Sequence, residues 1–165
     1  MARVLLIQAS DLKEWTPVGG NVDKDKFLSF IEFKQSSDLR EYLGTELLNS
    51  IYTKVQGGTL TGAYLTLVQS YIKPYLANAT ANDFIKVYGV QAGNAGPTTA
   101  SPENATTAAG MALAKICRDR ADHYGKILIE YLEANQGSFS EYKTSDTRTD
   151  SNFNGWQFDY DDSNC

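Results

Sequence analysis

Apolar residues recur along most of this chain with the period of a helix. Between Gly62 and Leu76, the positions Tyr64, Leu67, Val68, Tyr71, Ile72, Tyr75 and Leu76 follow the 3.6-residue repeat. Pro74 lies inside that run and predicts a kink or a boundary, because it removes a backbone donor. Leu43, Leu47, Leu48, Ile51, Tyr52 and Val55 repeat the pattern, with Thr45 as a plausible N-cap and Gly57-Gly58 as a stop. A less regular stripe, Phe27, Phe30 and Ile31, predicts a helix from about Asp23 to residue 38. The longest element begins at Ser101-Pro102-Glu103, where a cap, a preset φ and a charge favourable to the dipole coincide. Leu113, Ile116, Cys117, Arg120, Ala121, Tyr124, Ile127, Leu128, Tyr131 and Leu132 then hold one face, which Arg120 alone interrupts. Asp122 and Lys126 form an i,i+4 pair on the outer side.

The stretch 85–100 reads differently. Ile85 and Val87 alternate with polar or small residues and run into Gly93-Asn94-Ala95-Gly96-Pro97, which predicts a β-hairpin projecting from the helical body. Gly93, Asn94, Gly96 and Pro97 would form its tip, an element facing a neighbouring subunit or a channel. The fold class expected is therefore mainly α: a small helical bundle with a long C-terminal helix, a projecting hairpin and an extended C-terminal arm. Residues 1–136 would be the helical domain and 137–165 the arm.

Charge sharpens the second boundary. The chain has 20 acidic and 15 basic side chains, a net charge of −5. Residues 137–165 hold six of the acids and two of the bases, a net of −4, so the remainder is nearly neutral at −1. The same segment carries Phe139, Tyr142, Phe153, Trp156, Phe158 and Tyr160 with almost no aliphatic residues between them. Disordered tails are poor in aromatics, so this make-up points to a segment that orders against a partner, with Phe153, Trp156, Phe158 and Tyr160 as anchors. The acidic balance argues against a protein that works by neutralising DNA phosphates. The length of 165 residues suits one domain, two cysteines make no disulfide framework, and neither a signal peptide nor a spanning run is expected.

Candidate chemistry is sparse. His123 follows Asp119 by one helical turn, a spacing that orients an imidazole, although an ordinary surface histidine has the same appearance. Asp159, Asp161 and Asp162 have the acidic density of a calcium loop but lack its glycine and trailing glutamate. Cys117 reads as a small buried hydrophobe, and no glycine pair precedes a Lys-Ser/Thr. No nucleophile–base pair stands out, so neither an enzyme nor a cofactor or metal site is expected. Arg120 needs a carboxylate, a carbonyl or another subunit if buried, or else its head reaches solvent along the helix edge.

The joint order of several short segments resembles the head–tail connector proteins (adaptors or head-completion proteins) of tailed bacteriophages. The likeness is greatest to versions in phages of Bacteroidetes hosts, including crAss-like phages. It rests on Asp11-Leu-Lys-Glu-Trp-Thr-Pro17, Gly20-Asn-Val-Asp23, Leu43-Gly-Thr-Glu-Leu-Leu48, Leu67-Val-Gln-Ser-Tyr-Ile-Lys-Pro-Tyr75, Tyr131-Leu-Glu-Ala-Asn135 and Phe139-Ser-Glu-Tyr142. The resemblance implies a structural virion protein of the phage neck that forms a ring, commonly of twelve subunits. Such a ring joins the portal to the tail, contacts other neck proteins and lines a channel through which DNA passes without specific binding. It is assembled in the host cytoplasm and involves no membrane. The competing class is a helical scaffold or regulatory module that docks partners through its C-terminal tail. A third, a ligand-binding or enzymatic bundle, would have to start from Asp119, Arg120 and His123.

Overall fold

A computed structural model describes residues 4–18, 24–88 and 103–143. These form helices α1 (Ala9–Trp15), α2 (Lys24–Ser36), α3 (Asp38–Gln56), α4 (Gly62–Thr66), α5 (Lys73–Tyr88) and α6 (Glu103–Ala134). A π-helical segment, Leu67–Ile72, joins α4 to α5, and a 3-10 turn, Gln136–Ser138, follows α6. The mainly α expectation holds.

α5 and α6 form the spine, packed together more extensively than any other pair. From residue 109 onward the buried positions on α6 are Gly110, Ala114, Cys117, Ala121, Gly125, Leu128 and Leu132, and on α5 they include Ala77 and Ala81. Small residues on both helices let the two axes approach closely. The buried stripe of α6 therefore runs one step around from the one its large apolar residues mark. Ile116 and Arg120 lie on its exposed flank, so Arg120 is not a buried charge within the chain.

Gly125 takes part in this packing by lacking a side chain. A Cβ there would stand 2.9 Å from the Tyr42 hydroxyl and 3.1 Å from its Cζ. The Tyr42 ring in turn packs edge-on against Tyr75, with centroids 4.9 Å apart. Gly125→Ala thus sets a helix-propensity gain of about 1 kcal/mol against displacement of a packed ring. We expect the variant to be neutral or weaker in the native background. In a Tyr42→Ala background the same change should stabilise by about 1 kcal/mol, a sign reversal that a urea double-mutant cycle measures.

The helical rod from Gly62 to Tyr88 changes hydrogen-bond register near its proline. The Lys73 N–H donates to the Val68 carbonyl, an i→i−5 bond of π type. Pro74 cannot donate and crowds the carbonyl four residues back, so a widened turn before it accommodates the ring without ending the helix. In α3 the break falls at Gly44, whose φ of 77° is left-handed, one residue before the expected cap at Thr45. The Thr45 hydroxyl accepts a hydrogen bond from Arg40 Nε at 2.9 Å. α3 stops at the anticipated Gly57-Gly58 pair.

The β-hairpin is not supported. α5 continues through Tyr88, so residues 85–88 are helical, and no strand occurs among the described residues. A short apolar alternation fits either a strand edge or one turn of a half-buried helix. Here Phe84 and Ile85 bury on the body while Lys86 and Val87 face out, and that packing decides the outcome. The proposed tip residues Gly93, Asn94, Gly96 and Pro97 lie outside the described residues.

Two further elements have no counterpart in the periodicity. α1 is opened by Asp11, whose carboxylate reaches back to the Gln8 N–H at 2.7 Å. Its other oxygen accepts from Lys73 Nζ at 3.0 Å, tying α1 to α5. Ahead of α1, the buried residues Leu6 and Ile7 lie in a segment held by Gln35, itself buried on α2. The Gln35 side chain accepts from the Leu6 N–H at 2.7 Å and donates to the Val4 carbonyl at 3.0 Å.

Candidate interaction surfaces

The residues after α6 fold back on the body before the aromatic-rich tail begins. Phe139 is buried, edge-on to Tyr64 at 5.1 Å, beside the Tyr71–Tyr131 stack at 4.0 Å. Tyr142 is buried as well, so 137–143, the start of the segment read as an arm, packs on the helical body. Glu141 fastens it, accepting from Tyr64 Oη at 2.7 Å and Ser50 Oγ at 2.8 Å. Burial pushes the Glu141 carboxyl up, but the hydrogen bonds from Tyr64 and Ser50 outweigh it and bring the pKa down to about 2. A depressed carboxylate contributes stability above its unfolded pKa and loses it as pH falls towards the folded value. Because this carboxylate is only partly buried, we discount the shift for solvent screening and expect Glu141→Gln to cost about 1 kcal/mol at pH 7. The difference from wild type should vanish between pH 4.5 and 2, which denaturation across that range measures.

A polar cleft lies where α2, α3, α5 and α6 meet. Lys34, only 12% exposed at its side chain, spans Asp38 at 2.6 Å and Asp83 at 2.8 Å. Burial alone would lower the Lys34 pKa, but hydrogen bonds to Asp38 and Asp83 raise it overall. Glu41, Asn82, Lys86, Arg118 and Asp122 also line it, with Tyr42 and Tyr75. Opposite charges alternate around this cleft, which makes it a lock between helices rather than a seat for a ligand of one sign.

An apolar groove of about 320 Å³ opens between α2 and the end of α5, lined by Ser29, Phe30, Phe33, Asp83, Lys86 and Val87. Phe33 is 60% and Val87 64% exposed, the largest values among the big apolar side chains described. Periodicity marks only Phe30 of this surface, because Phe33 falls off the Phe27–Ile31 stripe and Val87 belongs to the strand-like alternation.

The other expected site residues do not converge. Asp119 accepts from Lys115 at 2.8 Å, and exposed His123 lies against Tyr124 with ring centroids 5.6 Å apart. Asp122 faces Arg118 at 4.0 Å. Cys117 is buried, and burial pushes its thiol pKa up, as for an inert core cysteine. No group of three or more His, Cys, Asp or Glu that could hold a metal occurs among the described residues, and no described helix is long and apolar enough to cross a membrane. Phe153, Trp156, Phe158, Tyr160 and Asp159, Asp161 and Asp162 lie outside the described residues. Residues 39–152 match one family of unknown function, and no curated protein and no solved structure matches the chain.

Proposed function

The chain belongs to that family, DUF6712, and we propose that this member is a structural subunit of the tailed-phage neck, a ring that joins portal to tail. The observation that carries the reading is the structural role of the residues that resemble connectors. Leu43, Leu47, Leu48, Leu67, Tyr75, Leu132, Phe139 and Tyr142 are all buried in one helical body, and the aromatic, acidic tail follows directly from it. Those residues specify a shape, which supports a structural role. The near-neutral body would let DNA slide, where clustered Lys and Arg would hold it back.

Electron microscopy of the full chain mixed with its portal protein tests this reading. Rings coaxial with the portal are expected; a chain that neither forms rings nor decorates the portal overturns it.

Arg120 supplies a finer test. It is exposed on the flank of α6 beside exposed Ile116, and in the ring reading it would reach across a head-to-tail joint. Arg120→Ala should change stability by less than about 0.5 kcal/mol, as exposed substitutions do, while lowering ring yield. Equal ring yield from variant and wild type would assign Arg120 to solvent alone.

A further inference from the structure

We propose that residues 137–143 are a strap that, together with Pro74, holds the π turn of the Gly62–Tyr88 rod in register, so that strap and turn release as one unit. The device is independent of the ring reading.

A line of rings joins the strap to the rod at two levels. Phe139 lies edge-on to Tyr64 at 5.1 Å and 6.1 Å from Tyr131, which stacks on Tyr71 at 4.0 Å. Tyr64 belongs to α4 and Tyr71 to the π segment Leu67–Ile72, so these contacts bracket the turn. Glu141 adds a polar tie, accepting from Tyr64 Oη at 2.7 Å and from Ser50 Oγ of α3 at 2.8 Å. Little else holds α4. None of its residues is buried, and the element it packs on most is the π segment itself. Of its two large side chains, Tyr64 packs on the body while Leu65 is exposed.

Register decides which of the two meets the strap. With α5 fixed on α6, an α turn in place of the π turn would swing α4 round the rod's axis by one residue step. Tyr64 would leave Phe139 and Glu141, and Leu65 would take its place without a hydroxyl for the carboxylate. The strap's contacts are thus made in one register and lost in the other, the differential interaction a two-state element requires. Pro74 biases the same choice from the other side, since a regular turn would set its ring against the Ser70 carbonyl. Two constraints on one register are coupled, and the coupling is reciprocal. The chain continues from Lys143 into the aromatic tail, so a partner that draws on the tail acts first on the strap.

Magnetic resonance on the full chain reads the register, because coupling across the hydrogen bond identifies the carbonyl that the Lys73 N–H meets. In wild type that carbonyl is Val68, and in Pro74→Ala it should still be Val68, held by the strap alone. In Pro74→Ala combined with Phe139→Ala it should move to Gln69, the α partner. A move to Gln69 in Pro74→Ala alone, or Val68 retained in the combined variant, overturns the proposal. Hydrogen exchange in Glu141→Gln tests the coupling without touching the core. The Lys73 amide and the Tyr142 amide, which donates to the Phe139 carbonyl, should both exchange about fivefold faster than in wild type. Both should also exchange ahead of the α5–α6 spine. A faster Tyr142 with an unchanged Lys73, or exchange of either only together with the spine, overturns the shared unit.

Discussion

Replacing Gln35 with leucine should lower stability by about 2–3 kcal/mol. Its side-chain amide pairs with the Leu6 N–H at 2.7 Å and the Val4 carbonyl at 3.0 Å, the two groups a neighbouring strand would otherwise satisfy. Leucine fills similar space but leaves a buried backbone donor without a partner, and such an orphan costs about 1–3 kcal/mol. Loosened packing of Leu6 and Ile7 would add to the loss. For a chain of this size the deficit corresponds to a melting temperature lower by about 6–10 °C. Hydrogen exchange gives the specific readout: the Leu6 amide should be protected in wild type and lose protection in Gln35→Leu before the α5–α6 spine does. Unchanged protection at Leu6 would show that the clamp carries no energy.

Lys34→Met should cost about 2 kcal/mol at pH 7. The substitution keeps the aliphatic stem but removes the cation between Asp38 and Asp83, whose side chains are 34% and 27% exposed. Two carboxylates would then share a partly dry cleft with Glu41 and Asp122. Breaking a fully buried pair costs about 3–5 kcal/mol, and partial exposure reduces the figure here. Because the folded Lys34 pKa is raised, its contribution is whole below the ordinary lysine pKa and is lost as pH rises through the higher folded value. The gap between variant and wild type, measured by urea denaturation, should be constant from pH 6 to 9 and narrow only in strong alkali. A gap that closes near neutrality would contradict this account.

The elements that could be read from the sequence are those whose signals are local. α6 is helical from Glu103, the acid of the expected start signal, and Gly57-Gly58 closes α3, because a charge on the dipole and a left-handed glycine act within one turn. The errors arise where tertiary packing decides. Residues 85–88 alternate like a strand, yet Phe84 sits 4.2 Å from Phe27 and holds that turn in α5. The large residues of α6 mark one stripe, but from Gly110 to Gly125 its inner face is made of glycine, alanine and cysteine. Gln35 did leave a signal: Phe27, Ile31 and Gln35 recur at intervals of four, so a glutamine continues an apolar stripe. Asn78 does the same after Tyr71 and Tyr75, and its amide donates to the Trp15 and Pro74 carbonyls at 3.2 and 2.8 Å. A polar residue in phase with a core stripe marks a backbone segment that needs a partner. The surface at Phe33 left no such mark, because a single exposed aromatic carries no period.

The π-helical turn ahead of Pro74 also bears on how this family's chains can change length. A π turn holds one residue more than the α turn it replaces, so it is the form an insertion takes inside a continuous helix. Helices normally refuse single-residue insertions, since everything downstream rotates by about 100° and leaves its packing partners. Here the surplus is absorbed between Leu67 and Ile72, and Tyr64 on one side and Tyr75 on the other both keep their partners. Relatives one residue shorter at this point would be expected to lack the proline too, because a regular α turn would set its ring against a carbonyl. The extra residue and the proline should therefore be gained and lost together.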